Sequence, residues 1–152
     1  LENPGVLGAT LVYEDETIQH AGMEMVQDSS YPGIYMNHHP YKGVPLGLTK
    51  KASVSKTNTT TGACMLIHKS NFDQVGGFDP MYVLGDFEDS DLCLKLIDKG
   101  LTNYVSSDIV LYHLERLSQN LVDEGDWKFK LTLVNGAYQM TKWKGLIKEV
   151  TA

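Results

Sequence analysis

The run from Gly5 to Tyr13 is rich in apolar and β-branched residues, stops at the acidic triplet Glu14-Asp15-Glu16, and gives way to a second extended segment, Thr17 to Met25. Two such segments around a charged break predict a hairpin. From Gln27 to Ser55 the pattern dissolves into polar residues punctuated by Pro32-Gly33, His39-Pro40, Gly43, Pro45 and Gly47. A loop of that length inside a folded domain reads as a functional lid or substrate loop, or as a disordered excursion. Apolar character returns at Ala63 to His68, a strand, after which Ser70 is placed to cap a short helix, Asn71 to Val75, that stops at Gly76-Gly77.

The clearest helical pattern lies at Glu88 to Lys99. Leu92, Cys93, Leu96 and Ile97 form an apolar stripe, Asp91 and Lys95 are spaced i,i+4, and Gly100 ends the element. Thr102 to Ser106 and Ile109 to His113 read as two further strands. The tail from Asp123 to Val150 has helical spacing through Trp127, Leu131, Val134, Tyr138 and Trp143, weakened by Gly125, Gly136 and Gly145. Strands interleaved with helices predict an α/β domain with a mixed sheet and flanking helices.

Composition narrows the functional classes. A chain of 152 residues is long enough for one domain with a real core. Its 13 Lys and Arg against 19 Asp and Glu give a net charge of −6, and Arg116 is the single arginine. A phosphate-tracking nucleic-acid surface is not expected on that balance. The apolar runs fall far short of the roughly 20 residues that cross a bilayer. The chain opens at Leu1-Glu2-Asn3-Pro4 without an initiator methionine or a signal-like segment, which reads as a processed end or a boundary within a longer polypeptide. Cys64 and Cys93 lack metal-ligand spacing and sit among apolar neighbours, so they are expected to be reduced, buried thiols. The triplet Asn58-Thr59-Thr60 is a formal sequon that matters only in a secreted chain.

Candidate chemistry concentrates in Asp86, Glu88, Asp89 and Asp91. Carboxylates in a first helical turn are favoured by the helix dipole, which is one sufficient reason for the cluster. Helical phase separates its members. Asp89 lies three, four and seven residues before Leu92, Cys93 and Leu96 and projects along the apolar face, whereas Asp91 shares a side with Lys95. Asp89 is therefore expected to be the desolvated member, with raised proton affinity, and a group of that kind beside a cleft suits a general base. An EF-hand reading fails, because its glycine and bidentate glutamate positions, counted from Asp86, hold Asp91 and Ile97. His113 at a strand end is in the region where α/β folds gather ligands, although a lone histidine there is commonly structural. His20, His38 and His39 read as parts of a polar loop. Thr61-Gly62-Ala63 offers small residues where a ligand or another backbone can approach.

The order Gly8 to Tyr13, Thr17 to Gly22, Thr61 to Leu66, Val75 to Asp79, Phe87 to Cys93 and Ile109 to His113 resembles the second half of bacterial family 2 glycosyltransferases, over residues 5 to about 118. Each motif is weak alone, and the specificity lies in their order and spacing. The resemblance implies a partial GT-A (Rossmann-like) nucleotide-diphospho-sugar transferase fold, with residues 1–120 as the acceptor-side half and 121–152 as a helical tail that packs on it or leads to a further domain. It implies transfer of a sugar from a nucleotide-sugar donor to a hydroxyl of a glycan or lipid-linked acceptor with inversion, in surface polysaccharide or glycan assembly on the cytoplasmic side. Asp89 would be the catalytic base, and Glu88 and Asp91 would hold the acceptor. Thr61, Gly62 and Ala63 would lie near donor sugar and acceptor, and His113 near the diphosphate and its Mn or Mg ion. The nucleotide-binding half with its Asp-x-Asp metal motif has no counterpart here, and Asp89-Ser90-Asp91 belongs to the later helix. A fragment of a longer enzyme is therefore expected, inactive alone and binding no metal alone. The alternative is a non-catalytic carbohydrate-binding or protein-interaction module derived from such a half, whose exposed sheet edge would favour self-association.

Overall fold

A computed structural model describes residues 1–49, 52–114 and 127–152. Its centre is a pair of parallel strands, β1 (Pro4–Val12) and β7 (Thr102–Tyr112). Antiparallel strands flank this pair. On the far side of β1 lie β6 (Met65–Ile67), paired to Val6–Gly8, and β2 (Ile18–His20), paired to Leu11 and Val12; on the far side of β7 lies β5 (Val54–Lys56). A separate hairpin joins β3 (Glu24–Gln27) to β4 (Tyr35–His38). Among the described residues three α-helices accompany the strands: α1 (Lys69–Gln74), α2 (Glu88–Asp98) and α3 (Trp127–Val150). The expected α/β class with a mixed sheet and flanking helices is what the chain adopts, and it is compatible with a Rossmann-like arrangement. None of the described helices is long and apolar enough to cross a membrane.

Several local expectations change. The segment Thr17 to Met25 is two strands, because β2 pairs with β1 while β3 leaves the main sheet for β4. Within the polar stretch Gln27 to Ser55, residues 50–51 lie outside the described residues, and the rest is more ordered than its composition predicts. It contains β4, a 3-10 turn at Leu46–Leu48 and the start of β5. The two strands expected after Gly100 are one, with an irregularity: Ala9 faces Ser106, but Thr10 faces Val110. The residues between bulge out and absorb the register change. Ile109 at the end of the bulge and Val110, Leu111 and Tyr112 beyond it are exposed. The helix α1 is capped by His68, whose Nδ1 accepts from the backbone of Ser70, and not by Ser70 itself.

Two apolar clusters hold α2 in place. Its face of Leu92, Cys93 and Leu96 packs on Val6 of β1, with Met65, Ile67, Phe72, Val75 and Leu101 around the margin. On the other side Leu94 meets Met25, Met140 and Ile147, which brings α3 against α2. Each such large apolar side chain contributes about 1.5–3 kcal/mol on burial. The expected boundary at 120/121, Arg116 and the start of the tail at Asp123 lie outside the described residues. From Trp127 onward the tail is a single helix packed on this domain. Its buried positions are Asn135, Gly136, Gln139, Met140 and Ile147, whereas Trp127 and Val134 of the expected apolar stripe are exposed. Gly136 does not weaken the helix here but lets it approach: a Cβ at that position would stand 3.0 Å from Ile34 and 3.2 Å from the Phe87 ring.

Cys93 is buried and free, and its thiol is pushed up to about 12 by burial; Cys64 is partly buried and also free. Both Thr59 and Thr60 of the formal sequon are fully buried. Thr60 also sets a packing limit on β1, because a Cβ at Gly8 would lie 2.0 Å from its Oγ1 and 3.0 Å from its Cβ. Gly8→Ala is therefore expected to cost about 1–3 kcal/mol through overpacking. A urea titration reads this directly, and an unchanged midpoint would show that Thr60 can move aside.

Candidate functional site

Sequence-distant segments converge on one cavity of about 910 Å³. Glu88 and Asp89 reach it from the start of α2, Thr61 from the strand connection before β6, and His113 from the end of β7. On the opposite side of the chain's order, Gln19 and His20 of β2, Asn37 of β4, and His39 and Lys42 of the following loop also line it. The acidic rim is thus faced by histidine and lysine side chains.

Asp89 is held in place by backbone amides. Gly62 N–H donates to its Oδ2 at 2.9 Å and Ser90 N–H to its Oδ1 at 2.7 Å. Gly62 lies against Asp89 closely enough that a Cβ there would be in van der Waals contact with the Asp89 Cβ at 3.4 Å. Burial raises the Asp89 pKa, against the pull of the two amides. Glu88 is raised for the same first reason, and the charge of Asp89 adds to it. Two neighbouring carboxyls with raised proton affinity at one cavity wall are suited to exchange a proton with a hydroxyl.

Asp91 is elsewhere. Its side chain is fully buried and does not line the cavity; it binds Lys142, Trp143 Nε1 at 2.7 Å and the Tyr82 hydroxyl at 3.2 Å, with Lys95 Nζ 3.0 Å away. The expectation that Asp89 alone is desolvated therefore needs correction, because α3 arrives over the side of α2 that helical phase assigned to solvent. Asp79 joins the same network through Lys142 at 2.7 Å and the Tyr138 hydroxyl at 3.0 Å. The hydrogen bond from Lys142, then that from Met81 N–H, holds the Asp79 carboxyl down to about 2. Burial works against the Lys142 charge, but Asp79 and Asp91 outweigh it and raise its pKa. Gly62 and Ala63 likewise lie outside the cavity lining, and Gly62 reaches the site only through its hydrogen bond to Asp89.

The lip of the cavity is a strained loop. Leu84, Gly85, Asp86 and Phe87 all have left-handed backbone, with φ of 57°, 81°, 74° and 76°. A non-glycine residue in that region costs roughly 1–3 kcal/mol, so the surroundings must hold it. Asn135 does so, donating to the carbonyls of Val83 and Gly85 at 3.1 Å while accepting from Val83 N–H, and Thr132 donates to Asp86. Sequence reasoning missed both residues, because a polar side chain in a helix gives no sign of the loop it will hold.

It also missed the histidine pair. His20 is buried, not part of a polar loop, and its Nε2 accepts from Gly22 N–H at 3.2 Å and bonds Thr60 at 2.9 Å. Its Nδ1 meets His39 Nδ1 at 3.2 Å, which requires opposite protonation at the two contacting nitrogens. Among the described residues no group of three His, Cys, Asp or Glu side chains is arranged to hold a metal ion. His113, which the resemblance placed near a metal, lines the cavity but belongs to no such group.

No family model matches the chain. The uncharacterized protein y4gI of Sinorhizobium fredii is 31% identical over 147 residues, 94% of this chain and 16% of that protein. The O-antigen biosynthesis protein RfbC of Myxococcus xanthus is 29% identical over 131 residues, 81% of this chain and 10% of that protein. The chain thus spans less than a fifth of the length of these curated relatives, and it is distantly similar to a protein named for O-antigen biosynthesis.

Proposed function

We propose that this chain is the acceptor-side half of a GT-A-type glycosyltransferase domain, residues 1–120 with 121–152 as its helical tail. It serves an inverting transfer from a nucleotide sugar to a glycan or lipid-linked hydroxyl in surface polysaccharide biosynthesis, on the cytoplasmic side of the membrane. The observation that carries this reading is the convergence of Asp89, Glu88, Thr61 and His113 on one cavity, with Asp89 desolvated and oriented by two backbone amides. The similarity to a protein named for O-antigen biosynthesis supports the pathway class.

Asp89 takes the proton of the acceptor hydroxyl as that oxygen attacks the anomeric carbon from the face opposite the departing nucleoside diphosphate. Its two amide partners, one on each oxygen, keep the carboxylate from rotating away. Glu88 and Thr61 orient the acceptor at the same wall, with Gly62 and Ala63 shaping the approach, and Asp91 acts from behind by anchoring α2 to α3. His113 would be one of the groups that hold a divalent cation, Mn or Mg, and such an ion would supply compensation for the charge on the leaving diphosphate. The polypeptide that carries this chain is expected to release nucleoside diphosphate from one of a panel of UDP-, GDP- and dTDP-sugars, dependent on acceptor and on Mn or Mg. Binding of glycans without any release would instead favour the carbohydrate-binding module.

A further inference from the structure

Gln19, in the middle of β2, is only 4% exposed and makes two hydrogen bonds to one residue. Its Nε2 donates to the backbone carbonyl of His113 at 3.3 Å, and its Oε1 contacts His113 Nδ1 at 2.7 Å. The orientation of the amide follows from chemistry. A carbonyl oxygen can only accept, so the NH2 group must face it, which leaves the amide oxygen against the ring. An amide oxygen can only accept as well, so Nδ1 must carry the proton. The neutral ring then has its lone pair on Nε2, which has no hydrogen bond among the described residues. The backbone of His113 is tied down separately, its N–H donating to Val12 at 3.1 Å.

We propose that Gln19 is a positioning residue that locks His113 in the Nδ1–H tautomer, so that Nε2 presents an electron pair to the cavity. The consequence concerns what His113 can bind. A ring with Nε2–H would donate to a phosphate oxygen, whereas the locked ring suits a divalent cation and repels a bare phosphate oxygen. Metal-bound histidines commonly have their second nitrogen held by an acceptor in this way. The cation assignment rests on the proposed transferase reading; the tautomer does not.

The test reads the tautomer directly, by long-range proton–nitrogen correlation on the 15N-labelled chain above the ordinary histidine pKa of about 6.5. His113 is assigned from the spectrum of His113→Asn. The expected result is a protonated Nδ1 and an unprotonated Nε2 in the unaltered chain, a majority shift to Nε2–H in Gln19→Leu, and retention of Nδ1–H in Gln19→Glu, whose carboxylate still accepts. An Nε2–H ring in the unaltered chain overturns the proposal without need of any variant, as does an unchanged tautomer in a folded Gln19→Leu chain. In the longer polypeptide Gln19→Leu is expected to raise the cation concentration for half-maximal transfer about 10–100-fold, with nucleotide affinity unchanged. If the polypeptide transfers no sugar while the tautomer is as stated, the transferase reading fails and the role of Gln19 stands.

Discussion

Asp89→Asn, made in the polypeptide that carries this chain, is expected to lower sugar transfer by about 10²–10⁴-fold, the range that a positioned general base contributes. Donor affinity should be unchanged, because Asp89 faces the hydroxyl and not the nucleotide in the proposed arrangement. Asparagine has nearly the same shape and keeps one oxygen to accept from Gly62 or Ser90, so the fold should persist. The pH dependence adds a second readout. Burial raises the Asp89 pKa above its ordinary value of 3.8, so the base form is lost as pH falls through the raised value, and transfer should fall with it. The residual activity of Asp89→Asn should show no such limb. For stability the sign is opposite to that of a paired carboxylate. A folded pKa above the unfolded one means that ionisation is penalised in the fold, so the penalty grows as pH rises from the unfolded pKa through the folded one. Asp89→Asn removes it, and at neutral pH the variant should be no less stable than the parent. Undiminished transfer by the variant would remove Asp89 from the base role.

Lys142→Met is expected to produce the largest loss of stability, about 3 kcal/mol. Lys142 lies between Asp79 and the fully buried Asp91, with the rings of Tyr82, Tyr138 and Trp143 at 5.4–5.6 Å. Removing one partner of a buried pair leaves an uncompensated charge, which costs about 3–5 kcal/mol. The remaining Lys95 contact to Asp91 and the 23% exposure of Lys142 place the effect at the lower end. A loss under about 1 kcal/mol in urea would put the pair among ordinary surface salt bridges. The acid limb gives an independent check. Asp79 is depressed from 3.8 to about 2, so its stabilisation is complete above its unfolded pKa and is lost as pH falls from near 4 toward 2. Allowing for solvent screening, this contributes about 1–2 kcal/mol. Because the Lys142 bond is its largest cause, Lys142→Met should lose most of that pH dependence as well.

These two carboxylates also show what was legible in the chain. The apolar stripe of α2 and its end at Gly100 follow from 3.6-residue periodicity, and so does the projection of Asp89 toward the packed side. The same periodicity assigned Asp91 to the side of Lys95, which is correct, but solvent was not what lay there. Whether that side meets water or a second helix depends on where α3 docks, and local phase contains no information about an element some fifty residues away. Conversely α3 was read from its large apolar residues, and Trp143 of that stripe does pack beside Leu94, Met140 and Ile147, yet the part of α3 against the loop docks through Asn135, Gly136 and Gln139. Its contact face had to satisfy the bare carbonyls of a strained loop and admit the Phe87 ring, which polar and small side chains do and leucines do not.

Local chemistry determined the elements themselves: β1, β6, the short α1 with its glycine stop, α2 and the strand leading to His113. It also singled out Asp89, because a carboxylate on an apolar face is conspicuous in one dimension. The tertiary structure alone decided that Gln19 grips His113, that His20 is buried against Thr60 and His39, and that Asn37 and Asn135 frame the cavity. These are hydrogen bonds from side chains to side-chain or backbone groups distant in sequence. A hydrogen bond requires position and direction to within a fraction of an ångström and some tens of degrees, and only the folded backbone supplies both.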